Sequence, residues 1–306
     1  MTRTQRILAV LAATTATATP AFADDPKFVY SAPPDAKDAK VVDPGAALWT
    51  AAAEGGLVLT TGNADTTSLS AGLHLSRKQG NNKLSLDAAG VYASSTTHVL
   101  NDKNGNGLID NNGEISNTST VTAETLGAKA RYDRYLTTSN SLYAAALAGR
   151  DLPAGNTAVL GAQAGYSRQL YKTKTTEAVA ELGYDYSHES HVDDSRLSIH
   201  SARGFVGIKS TVSDGVATEA SLEALTNLNH ETLVTGADGS AFMDTRLHGH
   251  VAVTAKLGKA LAIQTAFDVR YDNRPNALDV KPLAPGFVPE AEKLDTLLKA
   301  SFIYTF

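Results

Sequence analysis

The chain ends in the stretch Leu294–Phe306, LDTLLKASFIYTF, in which apolar and polar residues alternate over the last nine positions. Because side chains alternate between the two faces of a β-strand, every second residue here lies on one face. The residues of that face are Leu298, Ala300, Phe302, Tyr304 and Phe306. Three bare aromatics on the edge of a soluble sheet would invite aggregation, whereas a strand between lipid and a polar lumen needs this pattern. The stretch therefore predicts the closing strand of a membrane barrel.

The amino terminus predicts export. Arg3 and Arg6 precede the apolar run 7–18, and Ala21-Phe22-Ala23 is an A-x-A cleavage site. The run is too short and too rich in Thr to span a bilayer as a helix. We expect a signal peptide over 1–23, a Pro-rich periplasmic linker over 24–46, and a barrel over 47–306.

Composition excludes several functions. The chain has no cysteine, so it has neither disulfides nor zinc–thiolate sites. Its net charge of −5 argues against nucleic acid as a partner. Low hydropathy does not exclude a membrane barrel, because only alternate residues of each strand face lipid.

After Trp49 the sequence consists of alternating runs separated by turn residues. Twelve runs are predicted to be strands, at 48–61, 67–78, 83–94, 120–134, 141–151, 158–171, 176–187, 197–212, 216–228, 243–257, 261–272 and 294–306. Their number predicts an all-β fold, an antiparallel up-and-down transmembrane β-barrel of 12 strands.

The connections support this topology because most alternate between short and long. Long connections are expected at 95–119, 188–196, 229–242 and 273–293, and those at 62–66 and 152–157 are shorter. Short periplasmic turns and long outer loops are typical of bacterial outer-membrane barrels. A soluble sandwich also buries one face of each strand, so alternation alone leaves that alternative open. The run 141–151 is too rich in Ala to orient, and a change of parity in 197–212 predicts a bulge near Ala202.

Several motifs carry a family resemblance. Trp49, the segment 56–67 (GLVLTTGNADTT), the segment 130–136 (ARYDRYL) and Arg150-Asp151 resemble the salt-induced outer membrane protein family (YdiY-like), a domain of unknown function. The resemblance implies an outer-membrane location in a Gram-negative bacterium and supplies no catalytic residues. Phe306 resembles the terminal phenylalanine that the barrel-assembly machinery recognises, so that machinery and outer-membrane lipid are the expected partners. The oligomeric state cannot be read from the sequence.

Charged side chains on the predicted inner faces are the candidate lumen residues, with both signs nearly balanced. They are Lys129, Arg131, Glu181, Asp185, Arg203, Lys209, Glu219, Glu223, Arg246, His248, His250, Asp268 and Arg270. A three-residue hairpin at 213–215, with Gly215 left-handed, sets Lys209 opposite Glu219. The turn at 258–260 sets His250 opposite Asp268, His248 opposite Arg270 and Arg246 opposite Asp272.

Two lumens fit this charge pattern. One is a narrow, weakly selective pore for ions or small polar solutes, which is the expected function. The alternative is a closed structural or surface-interaction barrel whose lumen is filled by ion pairs, since twelve strands fall between filled and water-filled barrels. His250 beside Asp268 is a candidate pH gate, although a structural histidine is the simpler reading.

The segment 102–114 is a candidate calcium loop. Asp102, Asn104, Asn106 and Asp110 supply oxygen ligands at positions 1, 3, 5 and 9 of a calcium-loop pattern. Position 12 is Gly113, and Glu114 comes one residue late, so the bidentate ligand is displaced or missing. Bound Ca²⁺ is the one cofactor that the sequence suggests.

The outer segment 188–194, HESHVDD, places imidazoles beside carboxylates, which could act as a general base or bind a transition metal. The sequence positions no nucleophile nearby, and it contains no nucleophile elbow, phosphate loop or zinc-protease motif. We therefore expect that the protein is not an enzyme.

Overall fold

A computed structural model describes residues 47–60, 65–100, 114–152, 155–191, 195–232, 238–275 and 292–305. The predicted signal peptide and linker, most of the candidate calcium loop, and Phe306 lie outside the described residues. No helix in these ranges is long and apolar enough to cross a membrane.

The described chain is a closed antiparallel barrel in which each strand pairs with its neighbours in the sequence. Its twelve strands are β1 (Leu48–Thr60), β2 (Asp65–Gln79), β3 (Asn82–Leu100), β4 (Ile115–Tyr135), β5 (Asn140–Asp151), β6 (Asn156–Lys172), β7 (Thr176–His191), β8 (Arg196–Ser213), β9 (Val216–Asn227), β12 (Thr245–Lys256), β13 (Leu261–Asp272) and β14 (Leu294–Thr305). The short strands β10 (Glu231–Thr232) and β11 (Asp238–Gly239) form a separate two-stranded ribbon between β9 and β12. The prediction of a twelve-stranded barrel is confirmed.

One end of the barrel carries the short turns, as predicted. One of them joins β2 to β3 through two residues, and Gly80 there has a φ of 54°, which favours glycine. At the other end, the predicted loop 95–119 is wrong in extent, because β3 continues to Leu100 and β4 begins at Ile115. The segment 115–121 of β4 is exposed throughout, so the outer ends of these strands form a ribbon that projects from the barrel.

The distribution of polarity is the reverse of that in a soluble protein. Large apolar side chains on the outer surface are well exposed, with Leu182 at 71% and Leu298 at 72%. The buried side chains in the described part are mostly polar or charged, among them Glu181, Arg203 and Asp268. A barrel whose apolar residues face outward and whose polar residues face inward is built to span lipid.

Aromatic side chains lie on the outer surface towards both ends of the strands. Tyr132 and Tyr304 lie near the short-turn end, and Tyr271 lies at the long-loop end of β13. Such girdles mark the two membrane interfaces of a barrel. Phe302 and Tyr304 face outward, as the closing stretch predicted.

β14 closes the barrel on β1 through a short ladder, which we call the seam. Among the described residues, four pairs join the two strands, from Ala52–Thr305 to Gly55–Phe302. Inside the barrel, Lys299 Nζ lies 3.5 Å from Glu54 Oε1, so an ion pair links the same two strands. The seam therefore combines a short backbone ladder with one charged side-chain contact.

Two local predictions are wrong. β8 pairs without interruption around Ala202, and its register shifts instead between Thr211 and Ser213. Ile199 therefore points inward and is buried there, which is why the parity of apolar residues changes without a bulge. The β8–β9 turn has two residues, 214–215, and Gly215 is not left-handed.

Candidate functional site in the lumen

The side chains predicted to face the lumen all lie on the inner face of the barrel. The pairings predicted from the turns are confirmed, since Lys209 lies opposite Glu219 and His250 opposite Asp268. His248 likewise lies opposite Arg270, and Arg246 opposite Asp272. The turn 214–215 is one residue shorter than predicted, but the register shift beside it compensates. Lys209 therefore still lies opposite Glu219. Whether these residues line a conducting pore stays a prediction.

A cluster of ion pairs crosses the lumen from β4 to β9. Arg131 on β4 donates to Glu181 Oε1 on β7 at 2.7 Å, and to Asp133 Oδ1 at 2.8 Å. Arg203 on β8 donates to Glu181 Oε2 at 2.8 Å and also to Glu223 on β9. Together with Tyr143, these five residues form what we call the waist cluster.

Tyr143 on β5 joins the two arginines. Its ring centroid lies 4.2 Å from the Arg131 guanidinium carbon, and its hydroxyl accepts a hydrogen bond from Arg203 Nη1 at 2.8 Å. The ring lies over two glycines that face each other on β6 and β7, Gly165 and Gly183. A Cβ on Gly165 would lie 2.7 Å from the Tyr143 hydroxyl, so only glycine leaves room for this ring. β5 could not be oriented from its sequence, so Tyr143 was missed, and the facing glycines on β6 and β7 indicate only that a large side chain passes there.

The two central members of the waist cluster are shielded from water. The side chains of Arg203 and Glu181 are 1% and 3% exposed, although both point into the barrel. Side chains that line a water-filled pore remain accessible to water. Protein therefore surrounds these two side chains at the centre of the waist cluster.

A second set of charged contacts lines the lumen on β9, β12 and β13. His250 Nδ1 lies 2.6 Å from Asp268 Oδ1, and its Nε2 lies 3.1 Å from Glu219 Oε1. An imidazole donates from both nitrogens only when it is protonated, so this arrangement is satisfied by the charged ring. His74 makes a similar contact with Asp87, a pair that the sequence reasoning missed although the β2–β3 turn sets them opposite each other. The pH gate at His250 stays a prediction.

At the long-loop end, the segment 188–194 is partly strand, because β7 continues to His191. His191 Nδ1 lies 3.0 Å from Ser195 Oγ, and its Nε2 lies 3.6 Å from Glu189 Oε2. Arg246 donates to the other oxygen of Glu189 at 3.1 Å. These contacts tie β7 to β8 and β12, and they bring a hydroxyl to the histidine that the sequence did not place there.

Asp244 lies in the connection before β12, beside Arg246. Burial raises the pKa of the Asp244 carboxyl to about 6, although the Arg246 guanidinium opposes this shift. The two side chains are only loosely paired, with Arg246 Nε 4.0 Å from Asp244 Oδ2. Asp244 therefore changes charge close to neutral pH.

Within the described residues, no group of three or more His, Asp or Glu side chains could hold a metal ion. Of the candidate calcium ligands, Asp102, Asn104, Asn106 and Asp110 lie outside the described residues, and Glu114 is buried. The calcium loop stays a prediction.

Comparisons with known proteins give one family and several distant structural likenesses. The model of the protein family DUF481, described as a protein of unknown function, matches residues 53–306. Among curated proteins, none matches the sequence.

The similar solved structures include the NanC porin, with 11% identity, a TM-score of 0.39, and coverage of 84% of this chain and 97% of that one. OmpT, an outer membrane protein of Vibrio cholerae, shares 8% identity at a TM-score of 0.36, covering 87% and 98% of the two chains. The translocator domain of the autotransporter NalP from Neisseria meningitidis shares 14% identity at a TM-score of 0.38, covering 85% and 88%. At such low identities and TM-scores, these likenesses do not bear on what the protein does.

Proposed function

The chain belongs to the DUF481 family of proteins of unknown function, and we propose that it works in the bacterial outer membrane as a barrel closed by its waist cluster. The observation that carries the proposal is the near-complete burial of Arg203 and Glu181 inside the barrel. A pore that is open at rest would need these side chains to border water. Ion pairing with two arginines keeps Glu181 satisfied in this dry environment.

The outer-membrane location is supported by the surface of the barrel. Its outer face is apolar between two sets of aromatic residues, and its charged side chains are concentrated inside. The signal peptide over 1–23 and the relation to salt-induced proteins stay predictions.

A closed barrel in this position would anchor the segments at its long-loop end. The ribbon formed by the outer ends of β3 and β4 is exposed over 115–121 and extends beyond β5. If the barrel is closed, the geometry favours a surface-interaction role for this ribbon.

A second candidate function is a gated, narrow and weakly selective pore for ions or small polar solutes. The observation that favours it is the partial exposure of a charged contact in the lumen, since His248 is 29% exposed and lies 3.5 Å from Glu223 of the waist cluster. Both signs of charge occur there, which disfavours strong selectivity for anions or cations.

Planar-bilayer recording of the refolded protein separates the two candidates. We expect no current steps from the wild type at neutral pH. The double variant Tyr143→Ala/Arg203→Ala removes the side chains that bridge the waist cluster, and we expect it to conduct. Current steps from the wild type would contradict the closed barrel and support the pore.

The matched control is Glu124→Gln/Arg150→Gln, which removes an exposed ion pair between outer-face side chains and leaves the lumen unchanged. We expect this variant to be as silent as the wild type. If the waist variant folds and stays silent, the waist cluster is not what closes the lumen.

Calorimetry of the full barrel tests the calcium loop, with Asp102→Ala as the comparison. Calcium-dependent heat that disappears in the variant would support the loop, and its absence in the wild type would reject it.

A further inference from the structure

Three arginines lie on the outer face of the barrel near the short-turn ends of alternate strands. Arg77 on β2 pairs with Trp49 and Leu84, whose side chains are exposed on the outer surface, so it also faces outward. Arg134 on β4 and Arg168 on β6 occupy outward positions near the same end. We call these three residues the basic rim.

Each arginine of the basic rim lies beside an aromatic residue of the short-turn girdle. The Arg77 guanidinium carbon lies 5.7 Å from the Trp49 ring centroid. Tyr132 and Tyr166 each stand two residues before an arginine on the same outward face, and Tyr132 Oη and Arg134 Nη1 both donate to Asn82 Oδ1, at 2.6 and 2.8 Å. Amphipathic aromatics settle at the level of the lipid headgroups. The arginines therefore lie at or just beyond the headgroup level.

The charge of the basic rim is not neutralised by its own strands. In the described strands, no carboxylate faces outward at the short-turn end. The contrast is with the long-loop end, where Arg150 lies 2.9 Å from Glu124. Lys174, exposed at the β6–β7 turn, adds positive charge beside the rim, whereas Lys172 lies opposite Glu177.

We propose that the basic rim binds the phosphate groups of anionic phospholipids in the leaflet at the short-turn end. The inference rests on the proposed membrane location and goes beyond it by naming the lipid that this end prefers. A guanidinium presents paired donors that match a phosphate, and basic residues near an anionic membrane surface strengthen binding. Because the arginines lie beside aromatic side chains at the headgroup level, they can contact the lipid phosphates directly.

The test compares unfolding by urea in vesicles of phosphatidylcholine alone with unfolding in vesicles that also contain phosphatidylglycerol. At low salt, we expect the anionic lipid to raise the folding equilibrium constant of the wild type by about 100-fold, from three arginines. The variant Arg77→Gln/Arg134→Gln/Arg168→Gln should fold in phosphatidylcholine as the wild type does and lose most of this gain. Added salt should also reduce the gain of the wild type.

The matched control is Arg150→Gln/Arg196→Gln/Lys293→Gln, which removes the same charge at the long-loop end and should keep the full gain. Equal loss in both variants would overturn the proposal, because net charge and not the rim would then be responsible. An equal effect of inorganic phosphate in phosphatidylcholine vesicles would also overturn it. If the wild type inserts into both kinds of vesicle with equal stability, the proposal for the basic rim is wrong but the membrane location stands. If it inserts into neither, the membrane location is wrong.

Discussion

Tyr143 shows how a single side chain in the lumen dictates the residues around it. Its hydroxyl can reach Arg203 only by passing over β6 and β7, and the glycine pair at 165 and 183 provides the space. Its ring in turn lies against the Arg131 guanidinium, which shields that charge from apolar surroundings. The position of the waist cluster thus depends on two residues that have no side chains.

We expect Gly183→Ala to destabilise the barrel by about 1–3 kcal/mol, the usual cost of overpacking. An added Cβ would lie 2.6 Å from the Ala164 carbonyl oxygen and would also meet the Tyr143 hydroxyl. The control is Gly204→Ala on β8, because a Cβ there meets nothing within 4 Å. Urea unfolding in detergent micelles measures both variants, and equal midpoints would show that Tyr143 does not need the glycines.

The Asp244 carboxyl predicts a pH dependence of stability. Its pKa in the folded protein, about 6, is above the ordinary value of 3.8. The folded state therefore holds this proton more tightly, so the contribution is fully present below about pH 4 and is lost as pH rises through 6.

In Asp244→Asn the side chain is neutral at every pH, so this loss disappears. Relative to the wild type, the variant should gain on the order of 2 kcal/mol between pH 4 and pH 7.5. Unfolding midpoints in micelles at the two pH values measure the gain. A constant difference between the two proteins would mean that Asp244 titrates at its ordinary pKa.

At the scale of the strands, the sequence predicted most where a turn and an alternating pattern agreed. The register of β12 against β13 follows from a short turn between two clear strands, so the pairing of His250 with Asp268 was readable. β5 was not readable, because its alanines fit either face equally well. The change of parity in β8 led to the wrong prediction of a bulge, because Ile199 is an apolar residue on the inner face. The interior contacts of Tyr143 could not be predicted, since they join strands that are not neighbours.

The seam gives a prediction at this scale. Because the described ladder between β1 and β14 is short, the mostly buried pair of Glu54 and Lys299 should contribute strongly to closure. Lys299→Met leaves Glu54 buried without this cation, which we expect to cost about 3 kcal/mol or more. The loss should appear as a lower temperature for the conversion of folded to unfolded protein on gels run without prior boiling.

The control for the seam is Arg150→Gln, which breaks a pair whose side chains are 48% and 39% exposed. Exposed pairs contribute at most about 1 kcal/mol, so this variant should convert near the temperature of the wild type. If both substitutions lower the conversion temperature equally, the ion pair stabilises the seam no more than an exposed pair would.

For the whole molecule, the location of the polar groups inside the barrel indicates that its outer surface faces lipid. The ion pairs of the waist cluster and of the seam could not form on a lipid-facing surface, and the outer leucines would be a liability in water. The alternation that was read from the last residues of the chain therefore recurs in most of the strands.

The lipid coat can be tested with one pair of substitutions. Leu182 and Leu257 are both exposed, at 71% and 57%, but Leu182 lies in the middle of β7 and Leu257 in the β12–β13 turn. In a soluble protein, arginine at either site would change stability little. In a membrane barrel, Leu182→Arg places a charge near the middle of the bilayer and should cost about 2–4 kcal/mol, whereas Leu257→Arg should be close to neutral. Urea unfolding in phosphatidylcholine vesicles measures both, and equal stabilities would mean that β7 does not face lipid.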